Sequence, residues 1–218
     1  MSSPIKPSRD KPASKVQAVG MSATAGSPES ASESAPDTRT RILQAAQRLF
    51  RKRGYHATGL NDILELAQAP KGSMYHHFPA GKEEIGVCVI GNMTAGLIGL
   101  FTQSRARSTQ AMVQQVGEQL VVVAEKTQFE ICALYSSFVA ERKSSPLLGD
   151  AVAAGYGQML DALQARMVQD GMSARVAREK AQLAVAMLEG GSLLAQARQD
   201  AGLFRAAVKQ AAQICSVD

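Results

Sequence analysis

From residue 38 onward, apolar residues recur at intervals of three and four. Ile42, Ala45, Ala46, Leu49 and Phe50 fall at i, i+3, i+4, i+7 and i+8, the spacing that puts side chains on one face of an α-helix. Arg39, Arg41, Arg48, Arg51, Lys52 and Arg53 flank this stripe. Gly54 stops the helix behind three cations in its last turn, where the helix dipole favours positive charge. The turn YHATGL follows, and Thr58 or Gly59 caps a short second helix with a buried stripe of Leu60, Ile63, Leu64 and Ala67. Pro70 suits the first position of a third helix, KGSMYHHF, which Pro79 and Gly81 end. A long apolar helix begins near Lys82 and runs beyond Met93. After residue 105 the periodicity predicts helices over about 109–126, 128–142, 147–170, 173–197 and 200–214. No alternating strand pattern persists and no repeat of fixed period occurs. The pattern predicts an all-α chain in which two short helices joined by a tight turn follow a longer basic one, as in a helix-turn-helix.

Composition changes the picture first at the N-terminus. Residues 1–36 hold five of the eight prolines, with Ser, Ala and mixed charges and few large apolar side chains. Such a segment buries too little surface to offset its ordering entropy, so a disordered tail is expected. The remainder divides into a helix-turn-helix domain over residues 37–83 and a second helical domain over residues 84–218. The three cysteines, Cys88, Cys132 and Cys215, are odd in number and far apart, which points to reduced thiols in a cytoplasm. No run of eighteen apolar residues and no secretory signal are evident, so no membrane association is expected.

Charge then singles out one region. The chain carries a net charge of +5. From Thr38 to Gly86, eight cations stand against Asp62, Glu65, Glu83 and Glu84. On a helix over residues 70–78, Met74 and Phe78 share one face and are core contacts. Gly72 and His76 fall on the opposite face, with Lys71 and Tyr75 on the flank. A helical glycine costs about 1 kcal/mol against alanine, and its place opposite the buried face suggests close approach of a partner backbone. Duplex DNA fits, because the second helix of a helix-turn-helix enters the major groove. Lys71 then contacts a guanine edge or a phosphate, Ser73, Tyr75 and His77 contact phosphates, and Lys82 contacts phosphate from the start of the next helix. Competing chemistries are weaker. Adjacent His76 and His77 point about 100° apart, against the i, i+3 or i+4 pairs that bind zinc, so no metal is expected. There is no nucleophile elbow and no phosphate-cradling glycine loop, so neither an enzyme nor a cofactor is expected. A helical small-molecule-binding protein or enzyme without a DNA role is the alternative; a thiol sensor using Cys88 or Cys132 is a third.

The run TRTRILQAAQRLFRKRGYHATGLNDILELAQAPKGSMYHHFPAGKEEI resembles the N-terminal DNA-binding domain of TetR-family repressors. The form HHFPAGKEE, with FEICALYSSFVAE and AVAMLEGGSLLAQARQD later in the chain, is similar to the LmrA/YxaF-type branch. Gln68 stands where many members carry a turn glycine, and Gly59 where a capping Thr or Ser is common. The resemblance implies an all-helical homodimer that binds double-stranded operator DNA and responds to a small-molecule effector, with residues 37–83 as the DNA-binding domain and residues 84–218 as the ligand-binding and dimerisation domain. It makes Lys71, Gly72, Ser73, Tyr75, His76 and His77 the recognition helix, gives His76 the base-reading position, and adds phosphate contacts from Thr58 and Lys82. In the C-terminal half, Phe129, Cys132, Tyr135, Phe138, Tyr156, Met159, Met187 and Leu188 are candidates to line a pocket between helices. Glu141 and Glu189 are the acids within apolar helical runs and the candidates for polar ligand contact. The small residues of AREKAQLAVAMLEGGSLLAQARQD and LFRAAVKQAAQI suit a dimeric four-helix bundle.

Overall fold

The computed structural model describes residues 36–217, apart from the side chains of residues 133 and 134. The tail expected over residues 1–36 therefore lies almost wholly outside the described residues. Among those described, the chain forms nine α-helices and no strand.

α1 (Thr38–Arg53) begins where the Asp37 carboxylate accepts the Thr40 N–H at 2.6 Å. It ends at Gly54, whose φ of 79° few other residues adopt. α2 (Leu60–Ala67) starts at Gly59, whose N–H donates to the Asp62 carboxylate at 3.1 Å. Gln68 closes α2 in the left-handed region at φ 49°, and its N–H donates to the Glu65 carbonyl. α3 (Lys71–His77) follows at once. Pro70 is its cap, not its first helical residue: Pro70 keeps an extended ψ of 143° and its carbonyl accepts the Met74 N–H.

α4 (Lys82–Gln103) holds no unbroken run of eighteen apolar residues, though by length and composition it could cross a membrane. Its apolar positions nevertheless have partners within the protein. Ile85, Val89 and Ile90 are buried, and α4 packs along α7 (Pro146–Gln169). α5 (Thr109–Lys126), α8 (Ala174–Arg198) and α9 (Ala201–Ile214) match the periodicity. α8 and α9 approach closely: a Cβ on Gly191 would lie 2.2 Å from that of Ala207. Part of the small-residue run thus serves packing within the chain.

The single helix expected over residues 128–142 is broken. A 3₁₀ turn (Glu130–Ala133), the short α6 (Leu134–Val139) and a second 3₁₀ turn (Ala140–Lys143) take its place. Gln128 and Phe129 both have positive φ. The Thr127 hydroxyl donates back to the Val123 carbonyl at 2.8 Å, and the Phe129 N–H to that of Ala124 at 2.7 Å. The two left-handed residues together cost about 2–4 kcal/mol. Burying the Phe129 side chain beside Val121, Ala124, Phe204 and Val208 offsets roughly 1.5–3 kcal/mol of this.

Apolar packing runs without a gap across residues 83 and 84. One cluster joins Ile42, Ala46 and Phe50 of α1, Ile63 of α2 and Met74 of α3 to Ile85 of α4, Phe138 of α6 and Leu148 and Val152 of α7. The rings of Phe50, Tyr55 and Phe138 meet pairwise at 5.2, 5.5 and 5.4 Å. Ser145, the cap of α7, also donates its hydroxyl to Glu83 at the start of α4.

The left-handed Gln68 gives a direct test. Gln68→Gly removes a Cβ penalty of about 1–2 kcal/mol and adds unfolded-chain entropy, for a net gain of about 0.5–1 kcal/mol. Thermal melting should rise by about 1–4 °C. A lower melting point would show that the Gln68 side chain itself stabilises the turn.

Candidate nucleic-acid interface and internal cavity

α3 is seven residues long, too short to hold helical form by local propensity alone. Met74 and Phe78 hold it, both fully buried. The face turned away from them is open. Lys71, Gly72, Tyr75 and His76 are exposed, and Ser73 and His77 are half-buried at its edges. The His76 and His77 rings meet edge to face at 5.3 Å. A Cβ on Gly72 would meet no atom within 4 Å, so nothing among the described residues requires glycine there. Arg39 lies behind α3, its guanidinium 5.2 Å from the Phe78 ring centroid.

Two expected contact residues are placed differently. Thr58 is 1% exposed, and its hydroxyl donates to the Gly54 carbonyl at 2.8 Å. It closes the turn between α1 and α2 and is not offered to a phosphate. Lys82 is half-buried with its ammonium 4.2 Å from the Tyr55 ring centroid. Burial holds its pKa below the usual lysine value, so the Tyr55 face partly replaces solvent as its partner.

A cavity of about 400 Å³ lies between α4, α5, α7, α8 and the broken segment. Its wall is mostly apolar, including Met93, Leu97, Leu100, Phe101, Val116 and Leu163. Polar groups come from Gln47, Arg51, Asn92, Tyr135, Glu189 and Ser192. Of the expected pocket residues, Cys132, Tyr135, Met159, Leu188 and Glu189 are in this wall. Phe129, Phe138, Tyr156 and Met187 are not. Phe129 is drawn toward Phe204 and Val208, and Phe138 is locked against Phe50 and Tyr55. Tyr156 backs Tyr135, with ring centroids 5.0 Å apart, and Met187 packs among the residues joining α5, α7, α8 and α9. Glu141 is also outside; it faces His56 at 3.8 Å and accepts from the Ser144 hydroxyl.

Sequence reasoning missed the cavity's contribution from α1. Gln47 and Arg51 are i, i+4 polar positions beside its apolar stripe, which read as solvated until the partner helices are known. It also missed the α4 face of Met93, Leu97, Leu100 and Phe101. The signal was present there, since α4 has more apolar positions than one core can cover.

Several groups in and near the wall are perturbed by burial. Desolvation raises the Glu189 pKa, and a hydrogen bond with Tyr156 partly opposes it. The Tyr135 hydroxyl is paired with Thr94. Desolvation pushes the Cys132 thiol up to about 11 and Cys215 to about 12, the opposite of what a reactive thiolate needs.

Comparison with known proteins bears on this arrangement. Residues 42–85 match the model of bacterial regulatory proteins of the tetR family. Residues 105–210 match the C-terminal domain of LmrA/YxaF-like transcriptional regulators. The HTH-type transcriptional regulator LmrA of Bacillus subtilis is 33% identical over 165 residues, covering 72% of this chain and 86% of LmrA. YxaF of the same organism is 32% identical over 172 residues, covering 75% and 87%. The chain belongs to the TetR family. Within it the chain falls on the LmrA/YxaF-like branch, and it is a transcriptional regulator with a helix-turn-helix formed by α2 and α3. A TetR regulator of Legionella pneumophila shares the fold, with a TM-score of 0.73 at 22% identity over 82% of this chain and 97% of that one.

The raised Glu189 gives a prediction with a definite sign. Because the folded pKa lies above the ordinary 4.5, this group's stabilising share is complete below that value and lost as pH rises through the folded pKa. Glu189→Gln should therefore raise the melting temperature at pH 8, by an increment that shrinks toward pH 5. A variant that melts lower than the wild type at pH 8 would mean that the ionised carboxylate is a net stabiliser.

Proposed function

We propose that this TetR-family regulator is a homodimeric repressor, not an enzyme, that binds operator DNA through α3 and leaves it when a small molecule fills the cavity. The observation that carries this is the division of α3: Met74 and Phe78 are fully buried, while Lys71, Gly72, Tyr75 and His76 form an open face. A helix pinned from behind presents that face rigidly, as groove reading needs. Lys71 supplies charge for a guanine edge or a phosphate; Ser73, Tyr75 and His77 supply phosphate contacts; His76 reaches a base. Gly72 lets the DNA backbone come close.

Two-fold operators need two copies. α8 carries an outward apolar stripe of Leu183, Ala186, Gly190, Leu193, Leu194 and Ala197, with Leu183 and Leu194 56% and 57% exposed. A second copy of this face would cover it. Occupancy of the cavity then shifts the dimer between DNA-competent and released states by its differential affinity for the two.

The test is fluorescence anisotropy with DNA flanking the chain's own gene beside random DNA, at two salt concentrations. Preferential, salt-sensitive binding is expected; equal weak binding to both DNAs overturns the reading. Lys71→Ala should weaken binding about tenfold, with the salt slope shallower by about one. Gly72→Ala separates folding from contact: it should stabilise the fold by up to about 1 kcal/mol yet weaken DNA binding. If it leaves DNA binding intact, close approach at Gly72 is ruled out. Replacing both Leu183 and Leu194 by Glu should convert a dimer to a monomer by light scattering; an unchanged mass would exclude the α8 face.

A further inference from the structure

The wall of the cavity includes part of the DNA-binding unit itself. Gln47 and Arg51 lie on α1, whose buried Ile42, Ala46 and Phe50 share a core with Met74 and Phe78 of α3. Arg51 is half-buried, and its Nε is shielded with no hydrogen-bond acceptor among the described residues. No carboxylate among those residues pairs with it as a salt bridge; burial lowers its pKa, and the charge of Glu130 opposes this. A guanidinium cannot shed its proton at accessible pH, so its buried N–H needs an acceptor. Glu189, the acid in the same wall, is in the opposite position. It can take up a proton, desolvation favours that form, and Tyr156 already partners it. The cavity therefore combines an apolar body, a permanent cation that no carboxylate pairs among the described residues, and an acid whose pKa burial raises.

We infer that the cavity binds an apolar organic anion, whose carboxylate, sulfonate or similar acceptor group is held by Arg51 of α1. This rests on the reading of the cavity as the effector site and narrows the class of effector. It also makes the link to DNA short. An anion seated on Arg51 touches the helix that anchors α3, so bound and empty states differ at α1 directly, without relay through α4.

The experiment uses two fluorescent probes that differ only by one sulfonate. 8-Anilinonaphthalene-1-sulfonate is the anion and N-phenyl-1-naphthylamine its neutral counterpart. Both are titrated into the full-length wild-type protein and Arg51→Met. The wild type should bind each at one site per chain. Arg51→Met should bind the sulfonate about tenfold more weakly and the neutral probe within about twofold of wild type. If Arg51→Met fails to fold, Arg51→Lys removes Nε while keeping the charge, and should lose about threefold for the sulfonate alone. Gly96→Phe, which places a ring in the wall where an added Cβ meets nothing within 4 Å, should abolish both. Parallel changes for the two probes, or none for either, overturn the role of Arg51 and leave the cavity standing. A wild-type protein that binds neither probe overturns the cavity reading itself.

Discussion

The structure depends on one aromatic contact. Phe50 closes the buried stripe of α1, yet it sits against Tyr55 from the following turn and Phe138 from α6. Each such pair contributes about 0.5–1.5 kcal/mol beyond the area it buries. The larger effect is geometric. Three rings from three segments leave little freedom in how α1 meets the C-terminal helices. Gly86 belongs to the same constraint. A Cβ there would lie 2.8 Å from Leu148 Cδ2 and 3.1 Å from Tyr55 Cε2, so α4 reaches the rings only because residue 86 has no side chain.

That constraint passes to the surface of α3 through few steps. Tyr55 lies under the ammonium of Lys82, at the first turn of α4. Burial pushes its own phenol up to about 12, so at neutral pH the ring is an uncharged π-face for that cation. α3 has no independent stability and takes its orientation from Met74 and Phe78. A change in how α1 sits against Phe138 therefore moves the core that seats α3.

What the sequence made legible follows from what is local. The stripe of α1, the stop at Gly54 and the buried pair Met74 and Phe78 rest on contacts within a few residues, so periodicity is enough to read them. Residues 128–142 are different. Their spacing is helical, but the chain breaks at two left-handed residues, and Phe129 packs instead against Phe204 and Val208, some 75 residues on. The surroundings of Thr58 and Lys82 were not legible for a related reason. Each is polar and near the expected interface, but the Gly54 carbonyl and the Tyr55 ring were closer. In the cavity, Cys132, Tyr135, Met159 and Glu189 were legible as apolar-run residues with chemistry. Phe138 and Tyr156 met the same criterion and went into the core, since sequence alone does not say which aromatic faces a void.

The contribution of α1 to the cavity also bears on how coupling is carried. A signal between sites on separate rigid bodies needs an intermediate element with two arrangements. Here Arg51 and Gln47 lie in the cavity wall and Phe50 in the core that holds α3, all on one 16-residue helix. Arg51 and Phe50 are adjacent in sequence, so they point about 100° apart on that helix. A rotation that brings Arg51 toward an occupant must turn Phe50 within its ring of aromatic neighbours. Packed cores resist continuous deformation and favour discrete alternatives. The same close packing that fixes α3 in one state would therefore make a second state a distinct repacking of Phe50, Tyr55 and Phe138, and not a gradual drift.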